Sequence, residues 1–203
     1  MTRHQDTELV RKPARTAPAS GSALTRPLPR SVTIPLMLLA GFAVVLLALN
    51  FPVLHVYQKH FTQDLPEAQV PWTGLTPAMD EAALRAAFPK LTLRCMNEPT
   101  HMGDRVCFAA VRRVDGYPAL TLALFLKKGK LSVAAVHVPW WGHGRAAAAL
   151  QRQFGASTKA SDGASTALHR WRVPGGFIDM NARRSFNLLA WSAVVWTAQA
   201  GTL

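Results

Sequence analysis

ALTLALFLKKGKLSVAAVHV, residues 119–138, holds two apolar runs, Ala119–Leu126 and Leu131–Val138, around the polar turn Lys127-Lys128-Gly129-Lys130. A connection this short pairs its flanking strands antiparallel. Leu120, Leu122, Leu124 and Leu126 project to one face at the two-residue period of a strand, and Ala123 and Phe125 to the other. With both faces apolar, this strand belongs in the interior of a sheet.

Upstream, Leu91–Met96 and Arg105–Val114 flank a polar loop, and Asp115-Gly116 is a turn signal. Downstream come Leu168–Val173, Phe177–Met180 and Leu188–Trp196, the first two separated by Pro174-Gly175-Gly176. Thr76-Pro77 reads as a helix start, a hydroxyl cap followed by a proline where no N–H is needed. Asp80 and Glu81 then fall in the first turns, Leu84 and Phe88 form an i, i+4 pair, and Pro89 ends the run. A second helix, Arg145–Phe154, stops at Gly155, and the polar stretch Ala156–Thr166 reads as loop. Helix, four strands, helix and three strands with short connections predict an α+β domain over 76–203, a mostly antiparallel sheet with two helices against one face. Ala-Ala-Leu-x-x-x-Phe recurs at 82–88 and 148–154. Because the similarity stops before the strands, it reads as two amphipathic helices of similar use and not as a duplicated unit.

Ahead of this domain lie twenty-three residues without a charge, Val32 to Leu54. At about 1.5 Å per residue such a run spans roughly 30 Å of hydrocarbon, so a transmembrane helix is expected over 32–57, with Tyr57 at the interface and Lys59 reaching the headgroups. The exit, Leu46-Leu47-Ala48-Leu49-Asn50-Phe51-Pro52, offers no A-x-A site, which favours a retained signal-anchor over a cleaved leader. Residues 1–31, rich in Pro, Ala, Thr and Arg, are expected to be a disordered tail; Arg3, Arg11, Lys12, Arg15, Arg26 and Arg30 against Asp6 and Glu8 keep it cytoplasmic. The C-terminal domain is then extracytoplasmic, at the outer face of the plasma (inner) membrane, joined to the span by a linker over 58–75. Beyond the tail the chain has seventeen basic and nine acidic residues, net +8. On the far side of a membrane this favours anionic headgroups or an acidic partner surface over nucleic acid.

Cys95 and Cys107 are the only cysteines, near the facing ends of two predicted strands in an oxidising compartment, and are expected to form a disulfide. The alternative is a metal-handling or thiol-redox site in which Cys95, Met96, His101, Met102 and Cys107 gather soft ligands. C-x5-H-x5-C is not a zinc-finger spacing, so no metal or cofactor is assigned. Gly142-His143-Gly144-Arg145-Ala146-Ala147 fits G-x-G-x-x-A before a helix, with Asp162 downstream. It lacks the second buried strand a dinucleotide fold requires, and so reads as a glycine turn into a helix.

Catalytic signatures are absent: G-x-S-x-G, H-E-x-x-H and S-x-x-K do not occur, so an enzyme is not expected, a scattered His137, His143 and Asp179 constellation being the remaining route. Trp191 and Trp196 are expected in the core. The adjacent Trp140 and Trp141 cannot both be buried on one strand and mark a contact surface. Joined to the basic-aromatic run His169-Arg170-Trp171-Arg172, they give a candidate partner surface of Trp140, Trp141, His143, Arg145, Arg170 and Arg172. The expectation is a single-pass membrane-anchored binding or accessory module, attached to the lipid bilayer through 32–57 and holding a protein partner or envelope component, free-standing or as a subunit of a larger membrane assembly.

Overall fold

The computed structural model describes residues 29–161, 167–187 and 189–199, the side chains of Arg30, Leu47 and Pro52 excepted. Most of the expected disordered tail, 1–28, lies outside the described residues. The chain forms two compact units, Met1–Leu46 and Leu47–Leu203.

The first unit holds most of helix α1 (Arg30–Leu49), whose large apolar side chains are exposed, among them Met37 and Leu38 at 70 % each. Among the described residues no helix is long and apolar enough to cross a membrane. Side chains of α1 are described without a gap over Ser31–Leu46, sixteen residues, or about 24 Å at 1.5 Å per residue. The single helix expected over 32–57 is divided at Asn50, beyond which α2 (Phe51–Thr62) begins with proline in its first turn. Pro52 has no N–H to give to the carbonyl of Ala48, and the ladder is interrupted there.

The second unit is a mixed α+β domain. After α2 come β1 (Glu67–Ala68), α3 (Glu81–Ala87), β2 (Arg94–Thr100), β3 (Gly103–Ala110), β4 (Arg113–Val114), β5 (Tyr117–Pro118), β6 (Thr121–Lys127) and β7 (Lys130–Val138). They are followed by α4 (His143–Phe154), β8 (Thr158–Ser161), β9 (Ala167–Val173), β10 (Gly176–Asn181) and β11 (Ser192–Ala198). Eight strands form one sheet in the order β2-β3-β6-β7-β11-β10-β9-β8, and every neighbouring pair is antiparallel. β1, β4 and β5 form a small second sheet, β1 parallel to β4. As its two apolar faces require, β6 is interior, with Leu122 and Leu124 fully buried.

This order has an internal symmetry. α3 leads into β2, β3, β6 and β7, and α4 into β8, β9, β10 and β11, each set running from an outer edge to the middle. The halves meet where their last strands pair, from Ser192↔Val138 to Thr197↔Val133. The repeated Ala-Ala-Leu-x-x-x-Phe therefore marks equivalent places in two topologically alike units, Leu84 and Leu150 both being buried. The first strand of the second half is β8 (Thr158–Ser161), an addition to the three expected there, in the stretch expected to be loop. At that edge, pairing with one neighbour takes the place of an apolar pattern.

Both helices cover one face of the sheet. Leu84 and Phe88 of α3 and Ala146 and Leu150 of α4 join Leu122, Leu124, Val136, Trp171, Ile178, Val194 and Trp196 in one buried cluster. Ala68, Val70, Trp72, at 0 % exposure, and Leu75 belong to it too, so the end of the segment expected to be a linker over 58–75 contributes side chains to the core. α3 starts four residues later than Thr76 suggests: Asp80 is its cap, a carboxylate oxygen accepting from Ala83 N–H at 3.0 Å. Trp191, expected inside, is 38 % exposed because the strand begins after it, at Ser192.

The tight hairpins follow from turn chemistry. Lys128-Gly129 and Asp115-Gly116 have positive φ at both residues, the hand that matches strand twist. Cys95 and Cys107 are direct cross-strand partners in β2 and β3 and form a disulfide. Replacing Leu124 by Ala removes the centre of the helix-covered face and is expected to cost about 2–5 kcal/mol, read as a lower urea midpoint at unchanged slope.

Candidate functional site

Four side-chain groups in the domain have the chemistry to act. The first is built where the chain leaves β7 and enters β11. Pro139 ends the strand, Trp140-Trp141 follow, and the turn into α4 passes Gly142, where an added Cβ would lie 2.9 Å from a Val138 methyl and 3.0 Å from the Pro118 carbonyl oxygen. That close approach fixes the two indoles at the end of the sheet. They meet edge to face with centroids 5.8 Å apart. Trp141 also contacts the rings of Tyr57, His60 and Phe61 on α2 at 5.4, 6.2 and 5.5 Å. On the other side, the guanidinium carbon of Arg184 lies 5.7 Å from the Trp140 ring centre.

The second group lies just inside. His143 Nδ1 is 2.8 Å from the buried Ser192 hydroxyl, and His169 Nδ1 is 2.8 Å from that of Ser157. Burial, with the charges of His169 and Arg184, lowers the pKa of His143 and favours neutral imidazole at neutral pH. A Ser–His contact alone is not a hydrolytic centre: no carboxylate is hydrogen-bonded to His143 among the described residues. His137 stacks on Trp191 at 5.4 Å, and strand alternation puts His137 and Asp179 on the sheet face away from the helices. The structure therefore does not assemble His137, His143 and Asp179.

The third group lies on that other face. Arg170 gives two hydrogen bonds to Asp179, both 2.7 Å, and this carboxylate raises its pKa. Its guanidinium carbon and that of Arg172 lie 5.1 and 5.7 Å from the Phe177 ring centre. Register explains this, since Phe177 pairs with Arg172 and Asp179 with Arg170. β8 begins opposite Arg170, leaving the β9 edge open beyond it, and a shallow cleft of about 480 Å³ opens there beside Phe154, Thr158 and Phe177. Trp171 points to the core instead and donates to the Gly155 carbonyl at 2.9 Å.

The sequence-derived surface is thus two surfaces. Trp140, Trp141, His143 and the exposed Arg145 gather at the start of α4, and Arg170 and Arg172 lie on the far face. Arg184, Phe177 and Asp179 complete these groups. The alternation Phe177, Asp179 against Arg170, Arg172 was the available signal for the last two, whereas Arg184 meets Trp140 only through the β7–β11 pairing.

The fourth group surrounds the disulfide. Glu81 accepts from Arg85 at 2.7 Å and Arg105 at 2.8 Å, and Arg85 also reaches Cys95 Sγ at 3.2 Å. Glu81, Cys95 and Cys107 bring potential ligand atoms within 4.8 Å of one another. Both sulfurs are bonded to each other and the carboxylate holds two guanidinium groups, so the donor set does not fit a metal in this state. His101 lies at the far end of the hairpin, roughly 17 Å along the strand from Cys95, so the soft ligands are not brought together.

A groove of about 820 Å³ runs between β1, the end of α3 and the Asp115-Gly116 turn. Of its two acidic residues, Glu67 lies 3.5 Å from Arg113, and Asp115 accepts from Val70 N–H at 3.0 Å and Trp72 Nε1–H at 2.8 Å. Burial raises its pKa against both hydrogen bonds.

No family model, curated protein or solved structure matches this chain.

His60, His137 and His143 all have pKa values lowered by burial. Below the ordinary histidine value of about 6.5 the unfolded chain takes up protons that the fold resists, so their contribution is complete above that pH and lost as pH falls. Asp115 acts in the opposite sense, in the lower carboxylate range. The urea midpoint is expected to drop between pH 7.5 and 5.5, and His137→Gln to flatten that dependence.

Proposed function

We propose that the protein is a single-pass membrane-anchored binding or accessory module, its N-terminal tail cytoplasmic and its α+β domain at the outer face of the plasma (inner) membrane. The observation that carries the anchor is α1: Met37, Leu38, Leu39, Phe42, Val44 and Leu49 are all at least 60 % exposed, on a helix with no polar face after Thr33. A helix apolar all round needs an apolar medium or a covering partner. In sequence the uncharged run continues to Leu54, long enough for a bilayer.

For the protein partner or envelope component we favour the far face of the sheet. Arg170 is held rigid by Asp179, leaving Arg172 over Phe177 as an exposed cation on an aromatic platform beside an open strand edge. That suits an acidic extended segment, which would take main-chain hydrogen bonds from the edge and a carboxylate contact from Arg172. Nucleic acid is not invoked, given the extracytoplasmic placement. The disulfide is read as structural, since Cys107 is fully buried; reduction would give a thiol-redox role only if Cys95 reacted at the surface.

Protease added to intact spheroplasts should remove the domain and spare the tail; a protected domain refutes the orientation. After mild-detergent purification, Arg172→Glu is expected to reduce the specific co-purifying partner about tenfold, at the 1.4 kcal/mol that such a contact supplies. Unchanged recovery of every partner would refute this surface.

A further inference from the structure

At the end of the sheet two half-buried indoles lie between exposed aromatic and basic side chains and form a ridge. Phe61, 68 % exposed, stacks on Trp141; Trp141 meets Trp140; Arg184 lies over Trp140; and two residues on, Phe186 stands fully exposed at 105 %. Phe186 is preceded by the exposed Arg183 and Arg184. The segments that build the ridge, 51–63, 140–155 and 180–191, contain no Asp or Glu, and they carry Lys59, Arg145, Arg152, Arg183 and Arg184. The charge carried by these segments has one sign, and the exposed Asp64 that follows the first of them lies 3.9 Å from Arg112.

Position selects the occupant. Phe51–Leu54, the last residues of the uncharged run, are the first turn of α2, which belongs to the same compact unit as the sheet. Phe61 is seven residues further on, about 10 Å along a helix. Phe61, which stacks on Trp141, is therefore within about a Debye length of the level at which the chain would leave the bilayer, where a basic residue gains from anionic headgroups. Aromatic rings beside basic residues are the composition of a membrane interface.

Resting on the membrane-anchor reading, we propose that Phe61, Trp140, Trp141, Arg183, Arg184 and Phe186 form a second attachment that docks the domain onto an anionic bilayer surface. Phe186 enters the headgroup region, and Arg183 and Arg184 pair with lipid phosphates. A single helix leaves a domain free to tilt; two attachments fix its orientation.

The test uses the full chain with Phe186→Cys. Cys95 and Cys107 are bonded to each other, so the new thiol takes an environment-sensitive fluorophore alone. Reconstituted in vesicles of zwitterionic lipid with and without phosphatidylglycerol, the label should shift to the blue and be quenched by headgroup-level spin-labelled lipid only when the anionic lipid is present. Adding Arg183→Ala and Arg184→Ala should lower the docked-to-free ratio roughly thirty-fold, with the disulfide and circular dichroism unchanged as the check on folding. Flotation of the same samples separates the two readings. A chain that floats with both vesicle types while its label stays unquenched overturns the docking and leaves the anchor standing. A chain that does not float overturns both. Shielding of the label in native membranes but not in protein-free anionic vesicles assigns the ridge to a protein and overturns the lipid proposal.

Discussion

The antiparallel ladder between β7 and β11, from Val138↔Ser192 to Val133↔Thr197, is the constraint on which the rest of the domain depends. It closes two helix-plus-four-strand halves into one sheet, so that Val136 and Val194 join a common core instead of ending as two apolar edges. Either half alone would expose a strand edge and one bare face, and four strands with one short helix bury too little to hold together. The ladder also brings distant chain together at its end. The residues following β7 are Trp140, Trp141 and His143, and those around the start of β11 include Arg184 and Ser192. Both the indole–guanidinium contact and the His143–Ser192 hydrogen bond follow from one register.

Charge is distributed as unevenly as apolar surface. The acidic groups of the domain are largely committed to structure: Asp80 caps α3, Glu81 binds Arg85 and Arg105, Asp115 holds the Val70–Trp72 segment, and Asp179 holds Arg170. What remains at the α2 end is basic and aromatic without a counter-charge in the same segments. These paired carboxylates stabilise the structure locally.

Much of the fold was legible. Period-two alternation through 119–138 gave the central hairpin and its interior place, and the cysteine positions gave the disulfide, because both depend on neighbours close in sequence. Helix α4 was found within two residues since Gly155 supplies the positive φ its end requires. The start of α3 was misplaced because Thr76-Pro77 and Asp80 are both sound caps, and only packing of Leu84 and Phe88 chooses between them. Trp72 and Leu75 looked like linker because they sit among prolines with no period; their burial comes from contacts far away in the chain. Of the candidate site, the residue types were legible and their grouping was not: Arg170 and Arg172 face away from Trp140 because strand alternation is fixed only once the core face is known.

The sequence by itself determined a basic chain with one long uncharged run, an antiparallel α+β domain and one cystine, since local periodicity, charge and turn chemistry act over a few residues. The tertiary structure decided that the two Ala-Ala-Leu-x-x-x-Phe helices head equivalent halves, and that Trp140 meets Arg184 and His143 meets Ser192. Those outcomes rest on the β7–β11 pairing, whose partners are separated by more than fifty residues, and no local preference encodes a contact across that distance.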